Sequence, residues 1–286
     1  MKQALALVII QVVLRALETL PLSVIHRGGR ALGWALYSWP SHKHSIIQSS
    51  LERAFPNLKA HDIRALQRQN ATEMACFALE SGLVWHAKKR KLDATVTHVE
   101  GWQHVTDAQR VGRGVLLVGA HLGNWEILNL YCMQRLQMAA LYKAPQQATF
   151  NAWIKKTRER FGGRLIPSGS QSMRHLLKTL KQGGVAGIIA DQRPRLGDGV
   201  SAPFFGSPAL TMTLVGRLAQ RTGCTVLMAN CYRQHGQGFV VEIAPVAPEV
   251  MDPEPAVAAS ALNGAIEAAV RKHPAQYLWR YPRFDQ

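Results

Sequence analysis

Apolar and polar positions along this chain repeat with two different periods. Residues 114–118, 185–190, 225–229 and 239–243 are short apolar runs carrying β-branched residues and bounded by turn formers; each predicts a buried strand. Residues 96–99 and 138–142 predict two more. Between them the spacing turns helical, with helices expected from Asn124 onward and over 149–161, 170–181, 211–222 and 256–272. Strands alternating with helices at these intervals predict an α/β fold, a mainly parallel central sheet flanked by helices.

The first third of the chain reads differently. Residues 45–87 are helical in pattern, broken at Phe55-Pro56-Asn57 and stopped near Gly82. Residues 4–14 are apolar apart from Gln11, and Arg15 and Glu18 end the run well short of the roughly 20 residues a membrane span needs. The absence of a small-residue cleavage site after it argues against a signal peptide. Trp34, Tyr37 and Trp39 follow, beside Arg27, Arg30, His42 and Lys43, which is the composition of an interfacial anchor. The competing reading is a core helix with a solvated basic edge. The organisation expected is an N-terminal membrane-associating helical segment over 1–44 and a single α/β domain over 45–286.

Charge narrows the partners. Lys and Arg number 34 against 18 Asp and Glu, a net +16, which predicts an acidic partner: nucleic acid, anionic lipid or an acidic protein. Zinc spacing, a recognition-helix pattern and aromatic β-ribbon motifs are missing, so a nucleic-acid binder is the poorer fit. Cys76, Cys132, Cys224 and Cys231 have no metal spacing and read as core thiols; neither a metal site nor a cofactor is expected. Lys88-Lys-Arg-Lys91 is the one dense basic run, usually a solvated loop and otherwise a contact for lipid phosphate or an acidic carrier.

The candidate chemistry lies where the strand at 114–118 meets the next helix. His121, Gly123 and Asn124 break the strand; Asn124 suits an N-cap and Glu126 the first turn. On one helix, positions five apart point roughly 140° away from each other, but across a strand-to-helix turn His121 and Glu126 can meet. A carboxylate on the imidazole fixes its tautomer and suits it to general-base work. The bland alternative is a loop histidine with a capping glutamate.

The sequence His121-Leu-Gly-Asn-Trp-Glu126 resembles the core motif of the bacterial lipid A biosynthesis acyltransferases, within the wider glycerolipid acyltransferase group with its His-x-x-x-x-Asp/Glu motif. Further matching blocks follow in order: Tyr142-Lys-Ala-Pro145, Arg158-Glu-Arg160, Asp191-Gln192, Pro203-Phe-Phe-Gly206, Gln276-Tyr-Leu-Trp279 and Arg283-Phe284. Ser50 to Leu58 resembles the segment upstream of the catalytic core, so the likeness runs from about residue 45 to the end.

The resemblance implies an O-acyltransferase that moves a fatty acyl chain from an acyl carrier protein thioester to a hydroxyl of a Kdo-lipid A precursor, at the cytoplasmic face of the bacterial inner membrane. Same-fold action on another glycolipid or an aminolipid is the alternative. His121, Glu126 and Arg158 are the expected catalytic residues. Arg158 matches an arginine the family needs for activity, and a guanidinium there could hold phosphate or a developing oxyanion. Asn124, Lys143, Arg160, Asp191, Phe204 and Phe205 are the expected substrate-binding residues. Lys143 and Asp191 each follow a strand, where α/β proteins place their sites; Phe204 and Phe205 suit the wall of an acyl groove. No Gly-x-Ser-x-Gly elbow occurs, which argues against an acyl-enzyme hydrolase.

Overall fold

The structure, a computed structural model, describes every residue except 1, 40, 41, 170, 196, 285 and 286. Six helices come first: α1 (Lys2–Thr19), α2 (Leu22–Ser38), α3 (His42–Ala54), α4 (Ala60–Leu79), α5 (Ser81–His86) and α6 (Lys89–Thr95). Then follow β1 (Val96–Glu100), α7 (Trp102–Arg110), β2 (Val115–Gly119), α8 (Trp125–Leu136), β3 (Ala139–Tyr142), α9 (Ala148–Arg158), β4 (Arg164–Pro167), α10 (Ser172–Lys181) and β5 (Val185–Ile189). The last third holds β6 (Gly199–Phe204), β7 (Ser207–Met212), α11 (Leu214–Thr222), β8 (Thr225–Gln234), β9 (Gly238–Pro245) and α12 (Pro255–Lys272).

Among the described residues, seven strands form one sheet in the order β1-β9-β8-β2-β5-β3-β4. Every pairing is parallel except β8 with β9. The mainly parallel α/β sheet expected from the sequence is therefore the fold. Burial explains the pattern: β2 is buried at all five positions, as a central strand covered by helices on both faces must be. One face packs against α10, α11 and α12 through Leu176, Leu180, Leu218 and Ile266; the other packs against α7 and α8 through Val105, Ile127, Leu130 and Met133.

Some elements escape the sequence pattern. β4 is only four residues long and ends on a proline. β6 and β7 form a separate antiparallel hairpin whose turn residues, Phe205 and Gly206, both have positive φ, 50° and 73°. The helix expected from residue 211 begins at Leu214, after β7. The basic run at 88–91 starts α6 instead of a loop, and Lys91 pairs with Glu18 of α1 at 3.0 Å.

The N-terminal helices pack onto the domain. In α2, a Cβ on Gly29 would meet Cys76 Sγ at 2.3 Å and one on Gly33 the Thr72 Cα at 2.4 Å, so small residues let α2 lie directly on α4. The opposite side of α1 and α2 exposes Val12, Val13, Val24, Leu32, Trp34, Leu36 and Trp39. Among the described residues no helix is long and apolar enough to cross a membrane.

Candidate active site

The site forms at the C-terminal ends of the parallel strands, the usual place in an open α/β sheet. Strands β2 and β5 are neighbours, with Gly119 paired to Ile189. Two residues past each strand end stand His121 and Asp191, still side by side. Asp191 accepts from the His121 backbone N–H at 2.8 Å and from its ring Nδ1 at 2.6 Å. That bond puts the proton on Nδ1 and leaves the Nε2 lone pair facing the cavity, with the Gln192 amide nitrogen 3.4 Å from it. Trp125 packs edge-on to the imidazole, ring centres 4.9 Å apart.

Burial alone would hold the imidazole neutral. The charge and hydrogen bond of Asp191 outweigh it, Glu126 adding and Arg158 opposing, and the His121 pKa is raised. Burial likewise pushes Asp191 up, but the His121 charge and hydrogen bonds bring its pKa below the ordinary value. Tyr277 also shares Asp191: its phenol, pushed well up first by burial and then by that carboxylate, stays protonated.

The histidine's carboxylate partner is thus Asp191, and the expected contact with Glu126 is replaced. Glu126 forms a two-point pair with Arg158, whose Nε donates at 2.9 Å and whose Nη2 donates to the second oxygen. Glu126 remains close enough to His121 to influence its charge, but α8 aims it at α9. The chain reversal is tight. Gly123 has φ 61°, and a Cβ there would lie 2.0 Å from the Cys231 carbonyl oxygen. Asn124 N–H donates to that same oxygen at 2.8 Å, Gly123 N–H to Gln276, and Leu278 N–H to the His121 carbonyl. The C-terminal segment and β8 together hold the turn.

A cavity of about 840 Å³ opens on these residues. Leu117, Leu128, Cys132, Met138, Ala140 and Leu165 line an apolar slot between the sheet and α8, and Gly187 on β5 leaves it room. Lys143, Arg158, Arg193, Arg195 and Arg217 line the polar part. Lys143 therefore stands where the sequence placed it, and Asp191 sits behind the histidine. Cys132 is the thiol on the slot; burial pushes its pKa up to about 12, so it is no nucleophile.

Four of the expected substrate-binding residues, Asn124, Arg160, Phe204 and Phe205, lie elsewhere. Phe204 and Phe205 are buried in the core with Phe55, Trp279 and Phe284, because the hairpin turn points them inward. Arg160 donates to the carbonyls of Thr157, Val84 and Ala87, and burial lowers its pKa to about 10. Asn124 is fully buried. Its Oδ1 caps α8 at the Ile127 N–H, 3.0 Å away, and its amide donates to Glu80 at 2.7 Å.

Glu80 belongs to a largely buried ionic cluster, with His235 at its exposed edge. Arg233 on β8 makes a two-point pair with Glu80 and reaches Glu73 at 2.6 Å. His26 of α2 contacts Glu80 at 2.8 Å, and His235 contacts Glu73 at 2.6 Å. Glu80 is fully buried and its pKa is low: burial opposes its charge, but Arg233 and His26 overcome that. Nothing in the sequence marked this cluster, since its members come from α2, α4, the residue after α4, β8 and the turn that follows β8. Nor did spacing mark Tyr277 as a partner of Asp191. Among the described residues no group of three or more acids, histidines or cysteines could hold a metal.

Comparison with known proteins gives this geometry its context. The family described as bacterial lipid A biosynthesis acyltransferase matches residues 2–286. The chain is 27% identical over 274 residues to a lipid A biosynthesis lauroyltransferase of Escherichia coli (strain K12), covering 93% of this chain and 86% of that protein. It is 26% identical over 269 residues to a lipid A biosynthesis palmitoleoyltransferase of the same organism, with the same coverage of each. A phosphatidylinositol mannoside acyltransferase of Mycobacterium tuberculosis (strain CDC 1551 / Oshkosh) is 25% identical over 228 residues, 74% of this chain and 70% of that protein. With strand ends, histidine turn and cavity accounted for, and the match running the length of the chain, the protein belongs to the bacterial lipid A biosynthesis acyltransferase family.

Proposed function

We propose that this acyltransferase moves a fatty acyl chain from an acyl carrier protein thioester to a hydroxyl of a Kdo-lipid A precursor. The observation that carries the reading is the His121–Asp191 pair, opening onto a cavity that is apolar on one side and cationic on the other. The acyl chain occupies the slot under α8. The acceptor's phosphates and carboxylates lie against Lys143 and the cavity arginines.

His121 Nε2 takes the proton of the acceptor hydroxyl, while Asp191 holds the ring and stabilises the imidazolium. The oxygen attacks the thioester carbonyl. The tetrahedral intermediate collapses to the new ester, and the departing thiolate recovers the proton from His121. Glu126 serves by fixing the Arg158 guanidinium at the cavity wall, where it offsets developing negative charge. No acyl-enzyme forms: the cavity cysteine is protonated and inert.

The reaction runs at the cytoplasmic face of the inner membrane. The exposed apolar side of α1 and α2, with Trp34 and Trp39 beside Arg27 and Arg30, supports a protein that lies on lipid by that hairpin. The likeness to the mannoside acyltransferase favours a second reading, in which the acceptor is a different anionic glycolipid. The test is mass spectrometry of products after incubation with acyl carrier thioesters and both acceptor types. A mass gain of one acyl group on the lipid A precursor is expected; acylation of the other glycolipid alone shifts the assignment, and free fatty acid alone defeats it.

A further inference from the structure

Apart from Arg217 at the cavity mouth, the cations of helices α10 and α11 form a pattern that the chemistry of acyl transfer does not use. On α10, Arg174, Lys178 and Lys181 stand at i, i+4 and i+7, one exposed face of the helix. On α11, Arg217 and Arg221 stand at i and i+4, also exposed. Neither helix contains an acidic residue. None of these five cations forms an ion pair among the described residues. Like charges one turn apart weaken a helix, so the pattern works against the fold unless something acidic meets it.

The two helices pack side by side over the same sheet face, and both begin at the cavity. Ser172 and Met173 of α10 line it, as do Leu214 and Arg217 of α11. The stripes therefore start at the mouth, and that on α10 runs about 10 Å away from it, at 1.5 Å per residue. Asp198 is an acid at the rim, and Glu249 stands in the turn packed against α11; neither pairs with the stripe. Large apolar side chains are exposed on α1 and α2, whereas α10 and α11 expose none. A face meeting lipid would carry grease beside its cations, as the N-terminal hairpin does.

We infer that the α10–α11 face docks the acidic protein that delivers the acyl thioester, its thioester arm passing over the two helix N-termini into the cavity. This rests on the donor reading above. Charge complementarity at such a face speeds encounter and sets partner choice.

The test uses the full-length protein with two donors, an acyl carrier thioester and the same acyl group on pantetheine without the protein. The Arg174→Glu/Lys178→Glu/Lys181→Glu variant is expected to raise KM for the carrier donor about tenfold to hundredfold and to flatten its salt dependence. Its rate with acyl-pantetheine should stay within about twofold of the parent protein. Arg221→Glu alone should show the same split, smaller in size, and guards against misfolding of the triple variant. An unchanged carrier KM overturns the proposal, as does an equal loss with both donors. Weaker sedimentation with phosphatidylglycerol vesicles at constant carrier KM also overturns it, assigning the face to lipid. If the parent protein ignores the carrier thioester yet uses acyl-pantetheine, the donor reading itself fails and the docking face falls with it.

Discussion

Two ionic clusters in this protein use the same side-chain types for different ends. One joins His121, Asp191, Glu126 and Arg158 at a cavity; the other joins His26, Glu80, Arg233, Glu73 and His235 between the N-terminal helices and β8. Each contains a histidine–carboxylate bond shorter than 3 Å. Access separates them. His121 turns Nε2, with only a long contact to the Gln192 amide at 3.4 Å, toward a cavity of about 840 Å³, while His26 is fully buried, with its Nε2 on Glu80 and its Nδ1 accepting the Gly236 N–H. A histidine with both nitrogens committed has no proton to trade. This second cluster holds α2, α4 and β8 together and, through the Glu80–Asn124 bond, steadies the cap of α8.

Substitutions should divide the clusters cleanly. His121→Ala is expected to cut turnover by about 10²–10⁴-fold while costing less stability than the loss of Arg233, because Asp191 keeps the backbone N–H of residue 121 and the Tyr277 phenol. Arg233→Met should do the reverse: it strands two buried carboxylates, costing about 3–5 kcal/mol of stability by denaturant unfolding. Arg233→Met with a normal unfolding curve, or His121→Ala with normal turnover, would erase the distinction.

A subtler change addresses the partner of the histidine. Because Asp191 raises the His121 pKa, kcat/KM should climb with pH through a midpoint above that of an ordinary imidazole. Asp191→Asn should lower turnover and move that midpoint down. Glu126→Gln should move it less, since its charge is a secondary influence on the ring. A midpoint that follows Glu126 instead would return the role to that residue. The stability the pair supplies has two edges. Asp191, with its lowered pKa, loses its share as pH falls through that value; His121, with its raised pKa, loses its share as pH rises through its own.

The smallest expected effect concerns the slot. A Cβ on Gly187 would meet Met138 Sδ at 2.7 Å. Gly187→Val should therefore narrow the slot and shift donor preference toward shorter chains by roughly tenfold, read from competition between two thioesters. Unchanged preference would place the chain elsewhere.

Most of the fold was legible in the chain. Buried parallel strands are nearly all apolar, so β2, β5, β8 and β9 announced themselves, and the break at Phe55-Pro56-Asn57 separated α3 from α4. What escaped was short or depended on distant partners: β4, the β6–β7 hairpin, and the inward turn of Phe204 and Phe205. At the site, the sequence located His121, Arg158, Lys143 and Asp191 by their positions at strand and helix ends. It paired the histidine with Glu126, five residues away, because chain proximity was the only distance it offered.

The sequence by itself determined most of the elements, the strand-to-helix turn that presents His121, and the basic character of the chain, since these follow from local periodicity, capping and charge. The tertiary structure alone decided which carboxylate holds the imidazole. Strand order sets β5 beside β2, and register brings Asp191, seventy residues on, within 2.6 Å of the ring. Parallel neighbours are joined by crossovers of arbitrary length, so no spacing in the chain could have carried that information.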